Sequence, residues 1–244
     1  MMAALAFLYG LVIGSFLNVV IVRVPKGEDI IKTRSHCVHC KAVLEWYDLI
    51  PLVSFLLLKG RCRACGEKIS VRYPAVELLN AAVYALIVWK TGMHVQSAVS
   101  MVYASLLIAA SFIDGATRRI PNAITLCVFL VGILHVLLRF TLVFDALLGA
   151  VVVSLPLFVL WLLSNGALIG LGDVKLFVGA GLVLGWQKTL LAFVLACILG
   201  SVIHIIRMAA FQAGRQLALG PYLSAGMLIA LLAGKEILHA LYGI

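Results

Sequence analysis

Long apolar runs alternate with short polar connections along almost the whole chain. Eight such runs cover residues 2–22, 73–89, 97–113, 121–138, 144–163, 174–186, 189–206 and 221–242. A helix needs about 20 apolar residues to cross the hydrocarbon core of a bilayer, and most of these runs approach that length. The pattern therefore predicts an all-α polytopic membrane protein with about eight transmembrane helices.

The only long polar stretch covers residues 23–72, between the first two apolar runs. It predicts a division of the chain into a first transmembrane helix (1–22), a small polar domain (23–72) and a seven-helix membrane core (73–244). The first run has no basic segment before it and no small-residue cleavage site in the usual place. We therefore expect a retained helix rather than a removed signal peptide.

Composition supports the membrane interpretation, and charge adds an orientation. The mean hydropathy is +1.15, and only 12% of the residues are charged. The net charge of +9 fits either nucleic acid or anionic lipid as a partner, but 10 of the 19 Lys and Arg residues fall in the 23–72 stretch. If that stretch is cytoplasmic, alternation of eight helices adds Arg118, Arg119, Lys175, Arg207 and Arg215 to the same side. This asymmetry follows the positive-inside rule, so we expect contact with membrane lipids and no nucleic-acid partner.

The sixth apolar run is too short to cross a bilayer unaided. At ~1.5 Å per residue, its 13 residues cover about 20 Å of a ~30 Å hydrocarbon core. We therefore expect the preceding segment, SNGALIGLGD, to dip into membrane depth. Gly166, Gly170 and Gly172 suit such a turn, because glycine accepts a positive φ and allows close backbone approach.

Three carboxylates lie toward the predicted cytoplasmic ends of helices: Glu77, Asp114 and Asp173. Ionisable groups at the edge of a span are costly and are functional candidates. Simpler roles also fit the two aspartates. Asp114 could pair with Arg118 or Arg119, and Asp173 could favour the start of its helix, with Lys175 nearby.

Two aspartates at one depth, on helices that could be neighbours, suggest a dyad that shares a proton. One carboxylate would act as general base toward water and the other as general acid, which hydrolyses a peptide bond without a metal. A proton-coupled transporter with a structural zinc module would use the same carboxylates. A membrane scaffold would need neither. The residues alone leave these alternatives open.

The polar stretch carries four cysteines in the pattern C-x₂-C-x₂₁-C-x₂-C: Cys37, Cys40, Cys62 and Cys65. Two such knuckles form a tetrahedral four-sulfur site, which predicts structural Zn²⁺. Two disulfides or four free thiols are the alternatives, and a cytoplasmic location disfavours disulfides. We expect His36 and His39 to be surface residues. The apolar run after Asp48 fits either an interfacial helix or a small core of the zinc domain.

Together these parts resemble the type IV prepilin peptidases, or prepilin leader peptidase/N-methyltransferases, which are GxGD-type membrane aspartic proteases. The matching stretches are GSFLNVVIVRVP (14–25), CVHC (37–40), LEWYDLIPLVSFLLLKGRCRACGEKISVRYPAVELL (44–79), FIDGATRRIPN (112–122) and GLGDVKL (170–176). Val38 stands where that family usually has proline, which is not a ligand.

The resemblance implies that Asp114 and Asp173 are the catalytic pair, supported by Gly170 and Gly172. It also implies that prepilins or pseudopilins of type IV pili or type II secretion lose their basic leader at the cytoplasmic face of the bacterial inner membrane. N-methylation of the new N-terminal residue from S-adenosylmethionine is implied by the resemblance alone. Glu77 is a candidate polar contact to the substrate. Lys175 is a candidate for orienting Asp173, or else faces lipid headgroups.

Overall fold

A computed structural model describes residues 1–211 and 218–243 of the chain. Arg215, which contributes to the charge asymmetry above, lies outside these residues. Within them the regular structure is helical, and the only extended pairings are two isolated bridges, His36 with Val43 and Arg61 with Lys68. The all-α prediction is therefore confirmed.

The described part of the chain contains ten α-helices. They are α1 (Met2–Arg23), α2 (Val53–Leu57), α3 (Arg72–Thr91), α4 (Val95–Thr117), α5 (Asn122–Leu138), α6 (Val143–Val152), α7 (Ser154–Leu163), α8 (Leu171–Leu184), α9 (Trp186–Phe211) and α10 (Gly220–Tyr242).

Each predicted apolar run corresponds to helical structure, and some of these helices have the length and hydropathy of a membrane span. Five helical segments of the described chain are long and apolar enough to cross a membrane: Met2–Lys26, Val95–Thr117, Val143–Leu163, Trp186–Ala209 and Gly220–Leu241. Helix α5 is apolar but shorter. The multi-pass character is thus clear, and the count of eight is not confirmed. The fifth run also divides at Val153 into α6 and α7.

The chain divides into two compact units, Met1–Ser97 and Ala98–Ile244. The predicted division into three parts stays a prediction. In the N-terminal unit α1 packs along α3, and two glycines spaced as G-x-x-x-G make this packing close. A Cβ atom on Gly10 would lie 2.6 Å from the Ala81 Cα atom, and one on Gly14 would lie 2.7 Å from the Glu77 Cα atom. Small residues at this spacing let two membrane helices approach closely.

Two buried amides and a buried arginine complete the N-terminal unit. Asn18 Nδ2 donates to the carbonyl oxygens of Gly14 and Tyr73 at 3.3 and 3.1 Å, and Asn80 Nδ2 donates to the Gly10 carbonyl at 2.8 Å. At the end of α1, the guanidinium of Arg23 donates to three carbonyl oxygens of the following loop, those of Asp29, Thr33 and Arg34. These bonds hold the polar loop against the helix end.

Helix α8 lies at the core of the C-terminal unit. Leu176, Phe177 and Ala180 are fully buried, and α8 contacts α5, α6, α7, α9 and α10. The close contacts again depend on glycine, since a Cβ atom on Gly179 would lie 2.8 Å from the backbone nitrogen of Phe129.

Large apolar side chains cover the outer faces of the C-terminal unit. Leu126, Leu137 and Ile205 are each more than half exposed. Exposed apolar surface on this scale is typical of a protein that sits in lipid.

The glycine segment before α8 differs in detail from the prediction. Of the three glycines, only Gly166 has a positive φ, +77°. Gly170 is extended and Gly172 is helical. These two glycines instead permit close approach, because a Cβ atom on Gly172 would lie 3.2 Å from the Ile120 Cβ atom.

Candidate active site

Asp114 and Asp173 come together in the C-terminal unit. Asp114 lies in the last turn of α4 and is 6% exposed, and Asp173 lies in the first turn of α8. Their carboxylates are close enough to interact electrostatically. Two like charges in a partly buried place favour a shared proton.

A backbone amide holds one oxygen of Asp114. The N–H of Gly220, the first residue of α10, donates to Asp114 Oδ2 at 2.8 Å. The N-terminus of a helix carries partial positive charge, which favours the ionised carboxylate. Sequence analysis missed this contact, although the Gly-Pro pair at 220–221 is a typical helix start.

Asp173 is bordered by the glycine motif. A Cβ atom on Gly170 would lie 3.2 Å from Asp173 Oδ2, and the N–H of Asp173 donates to the Gly170 carbonyl at 3.1 Å. Any larger residue at position 170 would therefore crowd the carboxylate.

Lys175 binds an uncharged side chain. Its Nζ atom donates to Asn122 Oδ1 at 2.9 Å. Asn122 begins α5 and ends the sequence stretch that contains Asp114. The bond thus joins the two aspartate motifs, and sequence analysis had given Asn122 no role. An effect of Lys175 on Asp173 stays a prediction.

Glu77 lies in the N-terminal unit, whereas both aspartates lie in the C-terminal unit. The side chain is 8% exposed, and its Oε2 atom accepts a hydrogen bond from the backbone N–H of Leu52 at 2.9 Å. Leu52 has a positive φ of 58°. Contact between Glu77 and a substrate stays a prediction.

The four cysteines of the polar stretch form one cluster. Their sulfur atoms all lie within 4.8 Å of one another, and the Cys37 and Cys65 sulfurs are 3.9 Å apart. A tetrahedron with metal–sulfur bonds of about 2.3 Å has edges of about 3.8 Å. The cluster can therefore hold a metal ion, and none of its cysteines forms a disulfide.

The two knuckles repeat one backbone pattern. The N–H of Cys37 donates to the Ala42 carbonyl, and the N–H of Cys62 donates to the Glu67 carbonyl. Lys41 and Gly66, which close the two turns, both have positive φ. The repeated turn explains how the C-x₂-C spacing points both pairs of sulfurs to one place.

The surroundings of Cys62 and Cys65 shift the pKa values of their thiols in opposite directions. The backbone N–H groups of Cys65 and Ala64 lower the pKa of the Cys62 thiol to about 7. The Glu67 N–H lowers the pKa of Cys65, but burial and the neighbouring cysteine sulfurs outweigh it and raise that pKa to about 12.

These features define a multi-pass membrane protein with a partly buried aspartate pair in one unit and a four-cysteine cluster that could hold a metal ion in the other. A family model described as the bacterial peptidase A24 N-terminal domain matches residues 8–91, and the model of the type IV leader peptidase family matches residues 101–205. The first covers the cysteines and the second covers both aspartates.

Curated relatives match over most of the chain. A prepilin leader peptidase/N-methyltransferase of Bacillus subtilis is 34% identical over 97% of this chain and 96% of its own length. A Pseudomonas putida protein of the same name is 33% identical over 96% of this chain and 91% of its own. The Myxococcus xanthus protein of that name is 38% identical over 85% of this chain, which spans 64% of its length. No solved structure matches significantly. The chain belongs to the type IV leader peptidase family.

Proposed function

We propose that this chain is an aspartic endopeptidase that removes the leader from type IV prepilins or pseudopilins, with Asp114 and Asp173 as its catalytic pair. The observation that carries the proposal is the electrostatic interaction between these two carboxylates, which lie at the ends of helices. The curated relatives are named prepilin leader peptidases, which supplies the substrate class.

The surroundings of the two aspartates suggest separate roles. The Gly220 N–H on Asp114 Oδ2 favours the charged form, so Asp114 is the general base that takes a proton from water. Asp173, beside that negative charge, is the proton donor to the scissile carbonyl oxygen. The water oxygen bonds to the carbonyl carbon. A proton then passes to the amide nitrogen, and the carbon–nitrogen bond breaks.

The glycine motif is proposed to receive the substrate backbone. Gly170 and Gly172 leave the start of α8 without side-chain bulk beside Asp173. An extended peptide can approach such a surface closely. Lys175, held by Asn122, would fix this segment to the one that follows Asp114.

N-methylation of the trimmed product is the second proposed activity, since the relatives carry that name. When bound, S-adenosylmethionine would supply the methyl group, and the terminal amine would have to be neutral to accept it. The chain's own task is to bind this donor and to hold the amine deprotonated.

The cysteine cluster is proposed to hold zinc. Four thiolates in a tetrahedral set suit Zn²⁺ or iron–sulfur chemistry, and paired C-x₂-C knuckles are typical of structural zinc. Four protein ligands leave no open position. The ion would therefore stabilise the polar loop and take no part in hydrolysis.

The protein is proposed to lie in the bacterial inner membrane with the polar loop and the aspartates toward the cytoplasm. The excess of Lys and Arg in the loop supports this orientation. No finding favours the transporter alternative.

Mass spectrometry of a prepilin co-expressed with this chain tests the proposal directly. Loss of the leader and addition of a methyl group are read from the same spectrum. Cleavage in proteoliposomes without a proton gradient would separate a peptidase from a transporter. An uncleaved prepilin in the presence of abundant, folded protein would overturn the proposed function.

A further inference from the structure

The N-terminal unit contains a cavity of about 720 Å³ that peptide hydrolysis does not explain. Its walls come from the second half of α1, the two cysteine knuckles, α2 and the start of α3. The volume lies within the range of about 300–1,000 Å³ that small-molecule sites occupy.

An unpartnered acceptor lies in the cavity wall. Asn18 is only 3% exposed, and both of its amide hydrogen bonds go to carbonyl oxygens, those of Gly14 and Tyr73. That arrangement fixes which atom of the amide is the oxygen. Asn18 Oδ1 is buried without a donor. Buried acceptors normally have partners, so this atom calls for a donor from outside the chain, either water or a ligand.

A donor and an anion also lie at the start of α3, five residues apart. Arg72 Nε is also buried without a partner, and the guanidinium carbon lies 5.3 Å from the centre of the Tyr73 ring. Glu77 lies one turn after Tyr73 on α3, and this buried residue lines the cavity. The wall thus combines an acceptor, a cation and an anion with aromatic rings, those of Phe16, Phe55 and Tyr73.

We propose that this cavity is the S-adenosylmethionine site of the proposed methyl transfer, with Asn18, Arg72 and Glu77 as its polar contacts. The proposal rests on that proposed function. An α-amino acid group carries both an ammonium donor and a carboxylate acceptor, which match the free Asn18 Oδ1 and Arg72 Nε atoms. The Glu77 carboxylate suits the positive sulfonium, and the aromatic rings suit the adenine.

A basic leader peptide fits the same cavity less well. Six Lys and Arg residues line it against four carboxylates, and this excess of positive charge disfavours a cationic segment. The Asp48 carboxylate is already paired with Arg63 at 2.9 Å. A small ligand that contains both signs of charge suits this mixed lining better.

Binding of isotope-labelled S-adenosylmethionine to the full chain in nanodiscs, measured by equilibrium dialysis, tests the site. Loss of one hydrogen bond to a charged ligand group weakens binding by about 10- to 100-fold. We expect a loss of this size for Asn18→Ala and Arg72→Met, and a weaker affinity for Glu77→Gln.

Two variants serve as matched controls. Asn80→Ala removes another buried amide from the α1–α3 seam, one that bonds Gly10 and does not line the cavity. Arg61→Met removes an exposed arginine of the second knuckle that also does not line it. Both should bind the ligand as the wild type does. Melting temperature and metal content report folding for every variant.

A second measurement keeps the test decisive if Asn18→Ala does not fold. Ultraviolet cross-linking of labelled S-adenosylmethionine to the wild type, followed by peptide mapping, should label 14–23, 53–58 or 72–77.

Labelling elsewhere would overturn the proposal, as would wild-type affinity in folded Asn18→Ala and Arg72→Met. Competition by a basic leader peptide but not by S-adenosylhomocysteine would overturn it too. In each of these cases a wild type that still methylates leaves the proposed function standing. A wild type that neither binds nor methylates defeats that function itself.

Discussion

The backbone N–H of Gly220 donates a hydrogen bond to Asp114 Oδ2 across 106 residues of sequence. There is no room for a side chain at this point, because a Cβ atom on Gly220 would lie 2.6 Å from the Asp114 Cβ atom. The start of α10 is therefore part of the candidate active site, although it carries no ionisable side chain.

Gly220→Ala should impair the peptidase without removing either aspartate. The added methyl must displace the Asp114 side chain, and a displacement of about 1 Å at a catalytic group can lower the rate about 100-fold. Prepilin cleavage in nanodiscs measures the effect. Gly115→Ala is the matched control, because its Cβ atom would meet Pro221 at an ordinary 3.7 Å. Equal rates for both variants would remove the assigned role of Gly220.

Asp114→Asn and Asp173→Asn should each abolish leader removal while the protein still accumulates in the membrane. Loss of a general acid or base typically costs about 10²- to 10⁴-fold in rate. Mass spectrometry of co-expressed prepilin measures this loss. Methylation of an already trimmed pilin should survive both substitutions. Full processing by either variant would defeat the proposed dyad.

Lys175 and Asn122 should affect the cleavage rate through the one hydrogen bond that they share. Lys175→Met and Asn122→Ala each remove the same bond, so each should lower the cleavage rate by about three- to tenfold through looser placement of α8. The double variant should be no worse than either single variant, because both changes act on one interaction. Additive losses in the double-mutant cycle would show that the two residues act independently.

Metal analysis of the purified chain should find about one zinc per chain. Cys37→Ser should lose the metal and lower the melting temperature, because the knuckles then lack their common centre. Cys127→Ser is the control, since Cys127 lies on α5 and is not a member of the cluster. A wild type that is fully folded without metal would contradict the zinc assignment.

Close packing of α1 against α3 should make Gly14 intolerant of any side chain. Gly14→Ala places a methyl 2.7 Å from the Glu77 backbone, and overpacking of this kind costs about 1–3 kcal/mol of stability. Thermal unfolding measures the loss. Gly200→Ala, whose Cβ atom would meet the Tyr222 ring at 3.6 Å or more, should unfold close to the wild-type temperature. The interpretation fails if the two variants are equally stable.

Much of the architecture is readable from the sequence because hydropathy and spacing are local signals. Apolar runs predict the helices, and the C-x₂-C pairs predict the cysteine cluster that the structure brings together. Asp114 and Asp173 attract notice because carboxylates are rare in such segments. The two carboxylates interact electrostatically, and their action as a catalytic dyad stays a prediction.

What the sequence does not predict depends on backbone atoms and on contacts between distant segments. Gly220 acts through its N–H, and Asn122 acts through a bond to a lysine 53 positions away. The division at Val153 and the cavity around Asn18 likewise arise only once helices pack. Five helical segments of the described chain meet the length and hydropathy of a span, so the count of about eight stays a prediction.

The division at Ser97 separates the two sets of chemical groups. The cysteines, Asn18 and Glu77 precede it, and both aspartates follow it. If the proposed roles hold, mutation can silence one reaction while natural selection preserves the other. A descendant that keeps only the protease activity would no longer need the cysteines or the residues that line the cavity, so these positions would change first.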